Sequence, residues 1–308
     1  MTAFLQQLVN GLSLGSIYAL IALGYTMVYG IIKLINFAHG DIYMLGAYCA
    51  FLITTYCGLG FIPALLISMI FCGVVGVLIE RIAYKPLRHA TRITALITAI
   101  GVSYVLEYAT QYIMGSEVRT YPKLLTSASF HLGPVTITMQ QVYIFVITVV
   151  LMVVLQFIVQ KTKMGRAMRA VSVDEDAARL MGIDVDKTIS FTFLLGSALA
   201  GVAGVLYAHN LTTLTALPKN FGYNMSIMIL VYVVLGGIGS IRGSVISTVI
   251  LYLLPELLRG LNNYRMLIYA IVLILAMLFN SAPQFITLRK RIFGGFASHT
   301  THSGKGEA

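Results

Sequence analysis

Residues 139–160, MQQVYIFVITVVLMVVLQFIVQ, form a stretch without a single charged side chain. A bilayer core about 30 Å thick is crossed by about 20 helical residues, each of which adds about 1.5 Å. The stretch has that length, so it is predicted to be a membrane-spanning helix. The fold of the whole chain depends on how often stretches of this kind recur.

The composition excludes a soluble protein. Of 308 residues, 58% are apolar and 10% are charged, and the mean hydropathy is +0.87. Soluble globular domains are typically about 45–50% apolar and about 25% charged. The chain has too few charged side chains to cover a water-soluble surface, and it is too apolar to be disordered. Its net charge of +10 therefore indicates basic loops beside membrane lipid and not a nucleic-acid interface.

Nine segments are candidates for crossing a membrane: residues 7–29, 41–56, 61–82, 93–114, 139–160, 188–209, 224–239, 241–258 and 264–282. Three of them, 41–56, 224–239 and 241–258, are short or interrupted by glycine, so either eight or nine crossings fit the sequence. Broken or re-entrant segments are tolerated in a bilayer only where they pack against protein or line a wet cavity. The prediction is an all-α, polytopic transmembrane helical bundle with 8–9 spans.

The basic residues predict the orientation of the bundle. The stretches 81–92, 161–187 and 289–305 hold 14 of the 21 Lys and Arg residues. Because basic residues collect in cytoplasmic loops, these stretches are assigned to the cytoplasm, together with the turn at residues 33–41. With nine spans the N-terminus is outside and the C-terminus is cytoplasmic.

The sequence carries no catalytic or metal-binding motif. A P-loop ends in Gly-Lys-Ser or Gly-Lys-Thr, whereas Gly304-Lys305 is followed by Gly306. Gly-x-Ser-x-Gly is absent, and the histidines are scattered, without the His-Glu-x-x-His spacing of a zinc site. Three cysteines without a Cys-x-x-Cys pair favour free thiols. The chain is therefore predicted to be neither an enzyme nor a metalloprotein, and it is not expected to bind a cofactor itself.

Glu107 is the ionisable residue that lies deepest within a predicted span, the segment 93–114. A carboxyl group inside a membrane is costly, so it is a functional candidate. Two interpretations are open: a group that handles protons, or a hydrogen-bonded structural carboxyl that faces the interior of the bundle. A proton-driven carrier would need several such groups in line, and only one is found, which favours the structural role.

Two irregular regions interrupt the apolar segments. Residues 29–41 introduce polar and glycine residues between two spans, and residues 234–243 contain four glycines, which break a helix. Free backbone N–H and C=O groups in such regions could line a polar path for a substrate, and the alternative is a tight turn between helices. The candidate residues of the translocation path are Asn36, His39, Gly40, Gly236, Gly237, Gly239 and Ser240.

The cytoplasmic stretch 164–185 has the pattern of a short capped helix. Asp174, Glu175 and Asp176 are typical of a helix N-terminus, and Gly182 suits its C-terminal end. The apolar face between them consists of Ala177, Ala178, Leu180 and Met181. Such a helix is suited to dock into a groove of a partner protein. A surface loop without a partner is the alternative.

The chain resembles the permease subunits of branched-chain amino acid ABC importers, the LivH-like group, in residues 14–20 (LGSIYAL), 24–30 (GYTMVYG), 35–41 (INFAHGD), 164–167 (MGRA) and 235–240 (LGGIGS). Any one of these stretches is a weak signal, but the combination is specific. Residues 176–182 resemble the coupling pattern of such permeases, which is Glu-Ala-Ala, three residues, Gly. Asp176 stands in place of the Glu, and no Leu-Pro follows Ile183.

The resemblance implies a helical permease with the larger-importer, type II-like ABC fold, in a bacterial cytoplasmic (inner) membrane. Residues 1–292 are then the transmembrane permease domain, with a coupling loop at about residues 161–187, and residues 293–308 are a disordered cytoplasmic tail. The resemblance also implies the partners. These are a second homologous permease subunit, two cytoplasmic ATPase subunits that use ATP and Mg, and an extracytoplasmic substrate-binding protein.

The function that the resemblance implies is import of leucine, isoleucine and valine, with this chain forming the translocation path. The residues expected to couple it to the ATPases are Asp174, Glu175, Asp176, Ala177, Ala178 and Gly182. A permease for urea or short amides is the alternative within the family. A stand-alone ion-coupled carrier is less favoured, because the series of intramembrane charges that a proton-driven carrier uses is missing.

Overall fold

A computed structural model describes residues 2–88, 90–115, 117–122, 129–132, 135–211, 213–214, 221–257 and 264–281 of the chain. These residues are mostly helical. In chain order the α-helices are α1 (Thr2–Ile32), α2 (His39–Tyr56), α3 (Phe61–Ile79), α4 (Arg92–Met114), α5 (Met139–Lys161), α6 (Lys163–Val173), α7 (Glu175–Leu180), α8 (Val185–Leu211), α9 (Tyr223–Gly236), α10 (Ile241–Leu257) and α11 (Arg265–Ser281). A π-helical turn, Glu80–Tyr84, and a 3-10 turn, Lys85–Leu87, continue α3.

The nine predicted apolar segments coincide with helices α1 to α5 and α8 to α11. Five of the described helices, α1, α3, α4, α5 and α8, are long and apolar enough to cross a membrane. Helices α9 and α10 meet that criterion together but are bent by 119° at the break between them. They form a broken span or a re-entrant loop, which agrees with their glycines. The described helices thus supply five or six crossings, and a total of 8–9 spans stays a prediction.

Two small antiparallel sheets lie between the helices, a feature that the all-α prediction did not include. β1 pairs with β4, and β2 pairs with β3 in a hairpin. The strands are β1 (Arg119–Thr120), β2 (Ser129–Leu132), β3 (Val135–Thr138) and β4 (Thr213–Leu214). Three of the four strands belong to the loop between α4 and α5, so the sheets add local order to a connection and leave the helical architecture unchanged.

Helix α5, which contains the stretch 139–160, is apolar on nearly every side. A capping box begins the helix: Thr138 Oγ1 accepts a hydrogen bond from the backbone N–H of Gln141, and the Gln141 side chain accepts one from the backbone N–H of Thr138. The buried residues of α5 are Ile144, Thr148 and Leu155. Exposed apolar side chains cover most of the rest, a surface that suits lipid tails or another helix and not water.

The chain divides into two compact units, residues 1–257 and residues 258–308. Within the second unit the described helix is α11, which is mostly apolar. Within the first unit α8 packs against α1, α2 and α3. Glycines make these contacts close: Gly196 faces Gly24, Gly201 faces Gly46, and Gly204 faces Tyr43. In lipid, close packing of this kind holds helices together where the hydrophobic effect cannot.

Candidate functional site

Helix α2 begins in the middle of the first unit and not at its surface. His39 Nε2 lies 3.2 Å from the carbonyl oxygen of Ile21 in α1, and the Ser103 hydroxyl at the centre of α4 donates a hydrogen bond to Asp41 Oδ2. Ile21 lies eleven residues before the end of α1, which is about 16 Å of helix. The segment 33–38 therefore runs back along α1 by about 16 Å before α2 begins.

The buried part of this returning segment is held by Asn36. Its side-chain oxygen accepts hydrogen bonds from the backbone N–H of Ala38, at 3.1 Å, and from the hydroxyl of Tyr84, at 3.0 Å. Lys33 is exposed, whereas Asn36 through Asp41 are buried. Residues 36–41 of the predicted turn 33–41 are thus buried among the helices, and the assignment of this turn to the cytoplasm stays a prediction.

Helix α9 begins at the same depth as α2. The backbone N–H of Gly40 donates a 2.8 Å hydrogen bond to the Ser226 hydroxyl, which in turn donates to the carbonyl of Phe37. A Cβ atom on Gly40 would collide with the carbonyl oxygen of Gly222. The first turns of α2 and α9 therefore meet backbone to backbone, and each brings the partial positive charge of a helix N-terminus to the junction.

Two carboxyl groups face this junction. A Cβ atom placed on Gly222 would lie 3.0 Å from Glu107 Oε2 and 3.1 Å from Asp41 Oδ1, so both oxygens point at the same glycine. Asp41 is 0% exposed and Glu107 is 5% exposed. Gly222 has a φ of +75°, where a side chain is strained, so both its conformation and its neighbours require glycine.

Glu107 was identified from the sequence, whereas Asp41, Ser103, Gly222 and Ser226 were not. Asp41 was placed at the boundary between the turn 33–41 and the apolar segment 41–56, although an acidic residue in the first turn of a helix is a common signal. No motif marked the other three residues, because their importance comes from contacts between distant segments. Glu107 is thus not the lone interior carboxyl that the sequence suggested, since it shares its surroundings with Asp41.

His39 and Asp41 do not form a metal site in this structure. Within the described residues no group of three His, Cys, Asp or Glu side chains could hold a metal ion. Besides its contact with α1 through Nε2, the His39 ring stands edge-on to Tyr25, with the ring centroids 5.5 Å apart. The residue joins the start of α2 to α1.

The second irregular region lies at the opposite end of α9. The backbone N–H of Gly239 and the hydroxyl of Ser244 each hydrogen bond to Thr26 Oγ1, both at 3.1 Å. A Cβ atom on Gly30 would lie 2.9 Å from the Gly239 Cα atom. Four of the predicted path residues belong to this glycine turn: Gly236, Gly237, Gly239 and Ser240. The structure forms a tight turn here, against α1.

The structure does not bring the two groups of predicted path residues together. The start of α9 meets the segment that contains Asn36, His39 and Gly40, and the glycine turn follows the end of α9. The 14 residues of α9 span about 21 Å. The predicted path residues therefore form two separate sites, connected by one helix.

A cavity separates the glycine turn from the segment 164–185, whose cytoplasmic location is a prediction. It has a volume of about 90 Å³. Thr26 and Gly30 of α1 line one side of it together with Gly239, and Arg169 and Ser172 of α6 line another. The segment 164–185 therefore approaches the glycine turn directly, without an intervening helix.

The segment 164–185 contains the predicted capped helix. Asp174 is the N-cap of α7, and its side chain accepts a 3.0 Å hydrogen bond from the backbone N–H of Ala177. The predicted apolar face is divided between two sides. Ala178 is 4% exposed and packs inside the unit, whereas Leu180 and Met181 are 88% and 83% exposed. An apolar pair therefore protrudes from the turn that ends α7.

Ion pairs attach the start of α8 to the end of α3. Arg88 pairs with both Glu80 and Asp186, and Lys85 Nζ lies 2.7 Å from Asp186 Oδ2. The Ser190 hydroxyl donates a 2.7 Å hydrogen bond to the Glu80 carboxylate. The hydrogen bond from Lys85, and then that from Arg88, hold the pKa of Asp186 below its usual value. These contacts join two of the predicted basic cytoplasmic stretches into one surface.

Sequence comparison decides the family. The profile of the family described as "Branched-chain amino acid transport system / permease component" matches residues 7–277. The chain belongs to this family. Together with its long apolar helices, membership makes it a multi-pass membrane protein and a permease component of a multi-subunit transporter.

Individual relatives agree with the family. The chain is 40% identical over 260 residues to the high-affinity branched-chain amino acid transport system permease protein BraD of Pseudomonas aeruginosa, covering 80% of this chain and 84% of BraD. It is 39% identical over 267 residues to LivH of Escherichia coli K12, covering 80% and 83%. It is also 27% identical over 295 residues to LivM of that organism, covering 88% and 68%. No solved structure matches the chain.

Proposed function

We propose that this chain is one of two membrane-spanning subunits of an ATP-driven importer of leucine, isoleucine and valine. The observation that carries this proposal is its 40% identity to BraD over 80% of its length. Escherichia coli has two permease proteins, LivH and LivM, that are both similar to this chain. This similarity supports a pairing with a second, homologous permease. An extracytoplasmic substrate-binding protein delivers the amino acid in this assignment.

The proposed architecture is that of a larger importer with 8–9 spans in the cytoplasmic membrane. The N-terminus is placed outside and the C-terminus in the cytoplasm, because the basic stretches 81–92 and 161–187 belong on the cytoplasmic side. The ion pairs between Arg88 and Asp186 support this arrangement, since they connect the same two stretches. The domain boundary after residue 292 is part of the proposal and lies outside the described residues.

The proposed docking site for the ATPases is the turn that ends α7. Leu180 and Met181 protrude from it, and exposed apolar side chains of this size are suited to a groove on a partner. ATP and Mg are used by the ATPase subunits, and this chain binds neither. Movement of α6 and α7 would reach the glycine turn across the cavity that Arg169 and Gly239 line, so the ATPases could rock the bundle between outward-open and inward-open states.

The proposed translocation path uses the two sites at the ends of α9. The junction of α2 and α9 includes Asn36, His39 and Gly40. The glycine turn includes Gly236, Gly237, Gly239 and Ser240. The amide nitrogen of Asn36 is buried and has no acceptor among the described residues. A donor of this kind is available to a substrate carboxylate when the helices move apart.

Reconstitution tests the function. The chain, a second permease, the two ATPases and the binding protein are placed in liposomes, and uptake of labelled leucine, isoleucine, valine and urea is measured. We expect uptake of the three amino acids that requires ATP, and none by this chain alone. Uptake by the lone chain under an ion gradient would contradict the proposal. ATP-driven uptake of urea without leucine would reassign the substrate.

A pair of variants in one helix tests the docking site. Leu180→Asp is expected to leave the permease folded and to abolish its co-purification with the ATPases, whereas Leu180→Met should preserve both. Ala178→Arg should instead lower the yield of folded permease, because Ala178 is buried within the chain itself. Full co-purification and full ATPase coupling in Leu180→Asp would show that the ATPases dock elsewhere.

A further inference from the structure

We infer that Asp41 and Glu107 form a proton-binding site at the junction of α2, α4 and α9, and that one proton held by the pair fastens α4 to the bundle. This inference concerns the chain itself and goes beyond the proposed import of amino acids. It does not depend on which substrate is carried. Three observations support it: an unsatisfied buried oxygen, a second carboxyl group within reach, and the way in which α4 is attached.

The unsatisfied oxygen belongs to Asp41. Its Oδ2 accepts a hydrogen bond from Ser103, but its Oδ1 is fully buried and has no donor among the described residues. A buried carboxylate oxygen without a donor is costly, because it loses its hydrogen bonds to water and gains none within the protein. The oxygen points toward Gly222 and Glu107, so a proton delivered from that direction would satisfy it.

The second carboxyl group is within electrostatic range. Asp41 Oδ1 and Glu107 Oε2 lie 3.1 Å and 3.0 Å from one point beside Gly222, so they are within about 6 Å of each other, a distance at which like charges disfavour double ionisation. Two negative charges there would repel in a medium of low dielectric constant. One proton removes this repulsion and leaves a single charge for the pair.

The helix ends determine which carboxyl group keeps the charge. Asp41 lies in the first turn of α2, and the start of α9 faces it through Gly222. Both helix N-termini favour a negative charge there, and the Ser103 hydroxyl adds a donor. Glu107 lies in the interior of α4 and faces the start of α9 only, so a charge on it has the support of one helix N-terminus and not of two. The proton is therefore assigned mainly to Glu107, and the charge to Asp41.

No cation of the described chain neutralises the pair. The ion pairs of the described residues all involve side chains of residues 80–88 and 175–187, which belong to the cytoplasmic stretches. The elements packed around the junction also carry other titratable side chains, among them His39, Tyr43, Cys72, Tyr104, Tyr207 and Tyr223. Of these, His39 makes its contacts with Ile21 and Tyr25 on α1. Within the described residues no third His, Cys, Asp or Glu side chain joins the two carboxyl groups to hold a metal ion, and a proton is the occupant that we assign.

The protonation of this site affects how firmly α4 is attached to the bundle. The buried residues of α4 recur every three or four residues: Ala95, Ala99, Ser103, Glu107 and Thr110, whose hydroxyl donates to the Leu106 carbonyl within the helix. Two of these are alanines, so Ser103 and Glu107 supply the specific contacts of this stripe. The opposite side of α4 is exposed, with residues such as Ile97 and Tyr112 at its surface. Loss of the proton would place two like charges in the seam between α4 and α2 and would loosen α4.

Infrared spectroscopy of the full chain in a detergent that contains no carbonyl group tests the site. A protonated carboxylic acid has a C=O stretching band that a carboxylate lacks. We expect this band in the wild type at neutral pH and its loss in Glu107→Gln, which has nearly the same shape. The control Glu117→Gln changes an exposed carboxyl group and should keep the band. A wild type without the band, or a band that survives in Glu107→Gln, would overturn the inference.

Thermal unfolding provides a second, independent measurement. The wild-type midpoint should fall as the pH rises from neutral, because the folded chain holds a proton that the unfolded chain releases. Glu107→Gln should remove most of this pH dependence. A midpoint that sodium chloride raises above its value in choline chloride, in the wild type but not in Asp41→Asn, would show that a metal ion occupies the site and that the inference is wrong.

Discussion

The two ends of helix α9 contain glycines that have different tasks. At its start, Gly40 and Gly222 allow two helix N-termini and two carboxyl groups to approach one another in the buried interior. At its end, Gly239 bends the chain, and this turn packs against Gly30 and Thr26 near the segment 164–185. The first site is electrostatic and enclosed. The second is a tight turn that packs against α1 and adjoins a cavity.

The difference teaches that helix-breaking residues in a membrane chain do not all mark one pathway. A glycine whose neighbours are backbone atoms or carboxylates is required by its surroundings, whereas one with open space around it is required only by its own backbone angles. Substitutions can separate these two requirements, because each adds a Cβ atom to a known environment.

The largest effect is expected for Gly40→Val, in the first turn of α2 where it meets the start of α9. The new side chain would collide with the Gly222 carbonyl and with Ser226, whose hydroxyl and backbone nitrogen lie 2.7 Å and 3.0 Å from the Cβ position. We expect a loss of about 3 kcal/mol or more, because overpacking costs about 1–3 kcal/mol even where the neighbours can move. Thermal unfolding of the purified permease measures it.

Gly101 offers a matched control for that substitution. It also lies in a helix, α4, but a Cβ atom there meets nothing within 4 Å. Gly101→Ala should therefore leave stability unchanged or raise it by up to about 1 kcal/mol, through helix propensity. Equal stability of Gly40→Val and Gly101→Ala would mean that α2 and α9 do not meet as described.

The next largest effect compares two glycines with positive φ at opposite ends of α9. Gly222 and Gly237 have φ values of +75° and +93°. At Gly237 the nearest atom to an added Cβ is 3.8 Å away, whereas at Gly222 the two carboxyl groups are at 3.0 and 3.1 Å. We expect Gly237→Ala to cost about 1–2 kcal/mol for backbone strain and Gly222→Ala to cost about 1 kcal/mol more.

A double-mutant cycle identifies the source of that difference. If the added cost at Gly222 comes from the carboxyl groups, Gly222→Ala and Glu107→Gln should be coupled by about 0.5 kcal/mol or more. Gly237 lies at the end of α9, whereas Glu107 faces its start. The stability effects of Gly237→Ala and Glu107→Gln should therefore be additive. Equal coupling in both cycles would show that Glu107 does not face Gly222.

The helices themselves could be predicted from the sequence because they depend on local information. Hydropathy located all nine apolar helices, and the acidic residues and Gly182 located α7 and its ends. The depth at which α2 starts could not be predicted in the same way. That depth depends on the contacts that His39 and Asp41 make with α1 and α4, and those contacts join segments that are far apart in the chain.

The candidate site was predicted only in part for the same reason. Glu107 was recognised because a carboxyl group within an apolar segment is unusual by itself. Asp41 could not be recognised, since six residues of loop separate the two helices and the sequence does not show that this loop turns back into the bundle. Ala178 was grouped with Leu180 on one apolar face, but a helix of six residues cannot show by spacing alone which apolar residues face inward.

A smaller effect is expected at the glycine turn for Thr26→Val. This variant removes the hydroxyl that binds the Gly239 N–H and the Ser244 hydroxyl, and valine preserves the shape of the side chain. We expect a loss of about 1–2 kcal/mol, because buried polar groups lose their partner. We also expect weaker coupling of ATP hydrolysis to leucine uptake in the assembled transporter. Thr26→Ser should behave as the wild type, and normal coupling in Thr26→Val would separate the turn from the mechanism.

The smallest effect contrasts the interior acid pair with a surface carboxylate. Hydrogen bonds from Lys85 and then Arg88 hold the pKa of Asp186 below its usual value. Its stabilisation is therefore complete above the unfolded-state pKa of about 3.9 and is lost as the pH falls through the lower folded-state pKa. Because the Asp186 side chain is half exposed, the effect should be about 1 kcal/mol or less.

The sign of the pH dependence separates the two carboxylates more clearly than its size. Asp186→Asn should reduce the stability at neutral pH and weaken the loss on acidification, without changing the loss on raising the pH. Glu107→Gln should do the reverse, since its proton is held by the folded chain and released on unfolding. Unfolding midpoints measured from acid to alkaline pH for both variants test this. The interior carboxyl pair would lose its distinction from a surface ion pair if both variants changed the same limb of the profile.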